Sequence, residues 1–287
     1  MSINTIIDGL SLGAVYALIA LGYTMVYGIA KMLNFAHGDI IMVGAYSVYV
    51  TLLMGGSPIF IILALVIPVI VCTLLGVAVE RFAYRPLRGA SPLAVLITAI
   101  GVSYLLQGMA QLIFGAKSRP VAFKIEGTFL GISLSTIVTL LVGAAIMVAL
   151  TLFVNYTRTG RAMVAVSEDR SAAQLMGVNV NKIIALTFAI GSGLAAFAGI
   201  FYVMKIPSTD PMLGSMPGIK AFTAAVIGGI GSIPGAMIGG FAIGMAEALV
   251  SAVGLSTWRD GVVFAILIVV LLVKPTGIMG RQVTEKV

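Results

Sequence analysis

Apolar runs of membrane-crossing length alternate with short polar breaks along nearly the whole chain. A crossing takes about 20 mostly apolar residues. Residues 6–29 qualify, with Gly9 and Gly13 four apart, a spacing that lets a neighbouring helix approach closely. Lys31 and the stretch NFAHGD (34–39) interrupt the pattern before a second run at 40–53. Further crossings are predicted at 59–79, 93–114, 134–154 and 183–204.

The last third is patterned differently. Residues 218–230 are short for a crossing, GSIPG (231–235) breaks the run, 236–253 follows, and 262–273 is short again. Short apolar pieces interrupted by Gly and Pro mark broken or re-entrant helices beside a transport path. Residues 28–44 and 228–244 are interrupted alike, although their similarity is too slight to establish an inverted repeat. The expected fold class is all-α and polytopic, with eight or nine apolar segments including broken or re-entrant helices. The whole chain, 1–287, is expected to form one transmembrane domain.

The loops orient these segments. Arg81, Arg85 and Arg88 form the clearest basic cluster, which the positive-inside rule places in the cytoplasm. Alternation then puts 117–129 outside, 157–182 inside and 205–217 outside. Lys274, Arg281 and Lys286 place the C-terminus inside, and the N-terminus falls outside. With no Lys or Arg before Lys31, the first run lacks the basic flank of a secretory signal peptide and is expected to remain as a span.

The longest polar island is 157–182, TRTGRAMVAVSEDRSAAQLMGVNVNK, carrying Arg158, Arg161, Glu168, Asp169, Arg170 and Lys182. A short helix is expected within it. Ser167 is the expected N-cap, Glu168 and Asp169 occupy the first turn, and Gly177 supplies a left-handed C-terminal cap. Ala172, Ala173, Leu175 and Met176 share one side. So short a helix needs something to pack on: either it merely joins two spans, or a soluble partner docks there.

Composition agrees and excludes other classes. The chain is 60% apolar and 9% charged, against about 25% charged in soluble proteins, and its mean hydropathy is +1.14. The net charge of +7 is spread over loops without a basic stripe, so nucleic acid is not an expected partner. One cysteine, Cys72, and one histidine, His37, leave no disulfide framework and no multi-histidine metal site. No phosphate-binding GxxxxGK[ST] loop occurs, so this chain is not expected to bind ATP by that route. Gly191-Ser192-Gly193 lies within a predicted span with no strand before it, and close helix packing is its expected role. Glu247 stands inside an apolar run as either a proton-coupling carboxylate or a pore-facing polar group. Lys220 is expected to snorkel to the outer end of its segment.

Five blocks in order resemble one family. They are ALIALGYTMVYGIAKMLNFAHGD (17–39), ERFAYRPLR (80–88), GRAMVAVSEDRSAAQLMGVNVNKIIALTF (160–188), KAFTAAVIGGIGSIPGAMIGG (220–240) and KPTGIMGR (274–281). They are similar to the H-type permease of branched-chain amino acid ABC importers. The resemblance implies a non-enzymatic, multi-pass permease of the inner membrane without a cofactor of its own. Its implied partners are a second, M-type permease, two cytoplasmic ATPase subunits that bind the ATP, and a periplasmic binding protein that largely sets substrate selectivity. It further implies that 160–179 docks on the ATPase, which makes Arg161, Glu168, Asp169, Ala172, Ala173 and Gly177 the candidate coupling residues. Candidates for the translocation path are Asn34, His37 and Asp39, whose other reading is interfacial anchoring. Gly228, Gly229 and Gly231 join them as a kink or a helix contact. Two rival functions stand beside this one: a related permease for urea or short amides, and a stand-alone proton-coupled secondary transporter.

Overall fold

The computed structural model describes residues 3–55, 57–129 and 131–280. Arg281 and Lys286, used above to place the C-terminus, lie outside the described residues. All nine predicted apolar segments are helices: α1 (Ile3–Ala30), α2 (His37–Leu53), α3 (Pro58–Val79), α4 (Pro92–Phe114), α5 (Leu134–Tyr156), α8 (Val180–Lys205), α9 (Ser215–Gly228), α10 (Ile233–Ala252) and α11 (Arg259–Val273). Between α5 and α8 lie α6 (Arg158–Glu168) and α7 (Arg170–Leu175). Among the described residues, seven helices are long and apolar enough to cross a membrane; α2, with 17 residues, and α9, with 14, are shorter.

Local sequence explains the helix starts. Pro58 and Pro92 occupy early positions whose N–H groups have no helical partner. Ser91, Asn179 and Ser232 accept from Ala94 N, Lys182 N and Gly235 N, capping α4, α8 and α10. The end of α3 tightens through a π turn, Glu80–Tyr84, and a 3₁₀ turn, Arg85–Leu87, where Pro86 ends the pattern.

Core and periphery separate cleanly. Central α1 and α8 are largely buried, whereas α3, α4, α5 and α11 turn Leu74, Leu112, Leu141 and Leu272 outward, as lipid-facing helices do. Without a hydrophobic force between helices in lipid, close packing must hold α1 against α10. Small residues permit it: a Cβ on Gly244 would strike the Gly13 backbone, and one on Gly240 would strike Ala17. Gly191 packs on Gly22 and Ser192 lies against Gly76, so the Gly191-Ser192-Gly193 stretch serves helix contact. On the predicted outer side two short antiparallel pairs occur: Arg119–Pro120 with Ser208–Thr209, and Thr128–Phe129 with Ile132–Ser133.

Two helices start inside the bundle. Lys31, at φ 52°, reverses the chain after α1, and the first turn of α2 returns beside Gly22 and Tyr23, about two turns back along α1. α9 begins at the same place, with Gly214 against Gly38 backbone to backbone. The breaks after α1 and α9 also meet, since a Cβ on Gly28 would lie 3.2 Å from Gly231 Cα.

Candidate functional site

A cavity of about 330 Å³ opens where the starts of α2 and α9 meet α1 and α4. Its polar side carries Asp39, Ser103, Gln107 and Ser215; Leu96, Ile100, Met212 and Ile219 supply apolar surface. Asp39 belongs to the first turn of α2, where the helix dipole favours negative charge. That turn is fixed by His37 N donating to Asn34 O at 3.1 Å and Asp39 N donating to Ala36 O at 3.0 Å. Gln107 Nε2 donates to Asp39 Oδ1 at 2.8 Å and faces the Ser103 and Ser215 hydroxyls at 3.3 and 3.4 Å. One amide thus ties three helices around the carboxylate.

The other path candidates stand elsewhere. His37 is buried behind Tyr23, edge to face at 4.7 Å between ring centroids. It fills the space that Gly22 leaves. Asn34 Oδ1 accepts from the Tyr84 hydroxyl at 2.9 Å and borders a separate, much smaller crevice. Gly228, Gly229 and Gly231 form the turn between α9 and α10. There Gly229 adopts φ 104°, and the C-terminal strap pairs onto the end of α9 through Ile278 N to Ile227 O, 2.8 Å, and Met279 N to Gly228 O, 2.9 Å. None of these three glycines lines the cavity.

Two expectations are corrected. Lys220 does not snorkel. It is buried, with Nζ 2.8 Å from Glu247 Oε1 and 2.6 Å from Asp260 Oδ1. Carboxylates on the neighbouring α10 and α11 hold the cation at depth. Tyr16 donates to the same Glu247 at 3.1 Å, which fixes Glu247 in an ion-paired cluster apart from the cavity residues. Ser167 is not an N-cap either; its hydroxyl donates to Val164 O in the last turn of α6. The cap is Asp169, whose Oδ1 accepts from Ser171 N and Ala172 N at 2.8 and 3.0 Å.

The polar island 157–182 is therefore two helices. Thr157 caps α6 by accepting from Gly160 N at 2.9 Å, and Met163 and Val166 turn inward three residues apart. That amphipathic helix escaped the sequence reading, although the Thr cap and the 163/166 spacing announce it. Gly177 has φ 83°, and Val178 N reaches back to Ala173 O at 3.0 Å, closing α7 with a left-handed cap. Ala173, one of the candidate coupling residues, is buried against the protein's own core, so the short helix lies with that side down. Arg161, Glu168, Asp169, Ala172 and Gly177 remain exposed, and Leu175 and Met176 project at 89% and 84% exposure.

Hydrogen bonds join this surface to the bundle. Arg170 donates to the carbonyl of Ala30, the last residue of α1, and burial followed by the nearby Arg88 lowers its pKa. Arg88 in turn bonds Glu80 and Asn181, linking the end of α3 to the start of α8.

Paired helix breaks, an open cavity with a polar side and an exposed pair of short helices between two spans define a multi-pass helical transport protein. Residues 5–272 match the family model described as branched-chain amino acid transport system / permease component, and the chain belongs to that family. It is 44% identical to the high-affinity branched-chain amino acid transport system permease protein BraD of Pseudomonas aeruginosa, over 99% of this chain and 98% of the relative. It is 45% identical to the corresponding permease protein LivH of Salmonella typhimurium, over 98% and 96%. A solved structure, PsaBC from Streptococcus pneumoniae in complex with Fab, shares the fold at TM-score 0.51 and 17% identity, covering 94% of this chain and 91% of that one.

Proposed function

We propose that this chain is the H-type permease subunit of an ATP-binding-cassette importer and carries branched-chain amino acids across the bacterial inner membrane. Identity of 44–45% along nearly the full length of permeases named for that transport is the observation that carries the proposal. The importer is completed by a second permease, a pair of cytoplasmic ATPases that bind the ATP, and a periplasmic binding protein. The exposed side of α6 and α7 suits ATPase docking, because Leu175 and Met176 present apolar surface to water beside charged neighbours. Movement of α7 would act on the end of α1 through Arg170 and Ala30, and so on the break from which α2 carries Asp39 into the cavity. Rocking of the bundle about these breaks alternates access between the two sides.

The test is uptake in vesicles containing the assembled importer. Leucine, isoleucine or valine should enter only with ATP and loaded binding protein, and this chain alone should move none of them. Proton-driven uptake by the chain alone would favour the secondary transporter, and ATP-driven uptake of urea or a short amide in place of these amino acids would favour that relative.

A further inference from the structure

We propose that the cavity between α1, α2, α4 and α9 is a binding site within the permease for a zwitterionic aliphatic α-amino acid, its α-ammonium group held by the Asp39 carboxylate. The inference rests on the transport function proposed above and deepens it. Buried charges elsewhere in the bundle are paired: Glu80 with Arg88, and Glu247 with Lys220. Asp39 is 2% exposed, yet no ion pair to it occurs among the described residues, and Gln107 donates to it as a neutral amide. A carboxylate placed in a membrane bundle without a cation is costly and marks a substrate path. The missing cation has a place to sit, because Asp39 lines the cavity.

The rest of the lining selects the same ligand. Its volume of about 330 Å³ falls in the range of roughly 300–1,000 Å³ usual for small-molecule sites. Leu96, Ile100 and Ile219 offer a branched aliphatic side chain the apolar surface it needs. The N-terminal end of α9, at Ser215, has no acidic residue in its first turn and brings the positive end of a helix dipole to the cavity, which suits the α-carboxylate. Urea and neutral amides carry no charge to compensate Asp39.

Equilibrium binding of tritiated leucine to the permease pair with its ATPases, in lipid nanodiscs and without binding protein, tests the site. Leucine should bind and be displaced by 3-methylbutylamine, which keeps the ammonium, at least tenfold better than by 4-methylpentanoate, which keeps only the carboxylate. Urea should not compete. Asp39→Asn should weaken leucine binding at least tenfold, and Asp39→Glu should recover part of it. Equal competition by the amine and the acid, unchanged binding by Asp39→Asn, or no leucine binding at millimolar concentration would overturn the site. Uptake by the complete wild-type importer separates the two ideas. Leucine uptake without binding in nanodiscs sinks the site alone, whereas no uptake of any branched-chain amino acid sinks the transport function itself.

Discussion

Arg170, in the short helix α7, donates to the backbone carbonyl of Ala30, where α1 ends and the chain turns back into the bundle. The last carbonyls of a helix lack intrahelical partners, and a cation there also complements the helix dipole. One side chain therefore spans the gap between α7 and the helix break. Arg170→Met keeps the aliphatic stem and removes the donors. A hydrogen bond from a charged group contributes about 1.5–3 kcal/mol, less where solvent reaches it. The variant should assemble with its ATPases, while uptake falls about tenfold or more and ATP hydrolysis loses its response to loaded binding protein. Normal coupling in reconstituted vesicles would remove Arg170 from the route.

Substitutions on the two sides of α7 should fail differently. Leu175 is exposed and Ala173 is buried. Leu175→Glu should leave abundance and thermal stability within about 0.5 kcal/mol of the parent, as surface changes do, while ATPase co-purification and uptake are lost. Ala173→Arg forces a long cation into the protein's own packing, where overpacking alone typically costs about 1–3 kcal/mol. It should lower abundance and melting temperature before docking is tested. Retained ATPase by Leu175→Glu would move the docking contact off this helix.

Membrane sidedness has its own check. In a Cys72→Ser background, Arg85→Cys and Arg161→Cys should be blocked only by reagents that cross the membrane, and Ser118→Cys should react from outside. All three positions are exposed, so access is decided by side and not by burial. Labelling of position 161 by an impermeant reagent in intact cells would invert the topology.

Much of this arrangement was legible in the sequence, because period, breaks and caps are local. The apolar runs lie within about three residues of the observed helices, and Gly177 takes the left-handed conformation its position suggested. Ser167 and Asp169 are both good caps two residues apart, and only the folded turn shows which carboxylate or hydroxyl reaches the free N–H groups. Long-range partners were not legible. Nothing along the chain brings Gln107 to Asp39 or Asp260 to Lys220, since those meetings depend on how deep α2 and α9 begin. Lys220 looked like a snorkelling cation for the same reason: a helix end is visible in sequence, its neighbours are not.

The Lys220–Glu247 pair allows the most quantitative test. The two groups are buried at 2.8 Å, with Tyr16 donating to the carboxylate and the more exposed Asp260 on the other side of the ammonium. Removing one partner of a buried pair leaves an uncompensated charge and typically costs about 3–5 kcal/mol, whereas removing both together is often nearly neutral. Lys220→Met leaves Glu247 with only a hydroxyl donor, and Glu247→Gln leaves Lys220 with the solvent-facing Asp260. The second loss should be the milder because a counter-charge remains. The double variant Lys220→Met/Glu247→Gln should recover a measurable part of the stability lost by Lys220→Met, giving an interaction energy of about 1–3 kcal/mol in a double-mutant cycle. Thermal unfolding of the detergent-solubilised permease pair measures all four forms. Additive losses would mean that the ion pair contributes nothing as a pair, and that each side chain stabilises α9 and α10 through its packing alone.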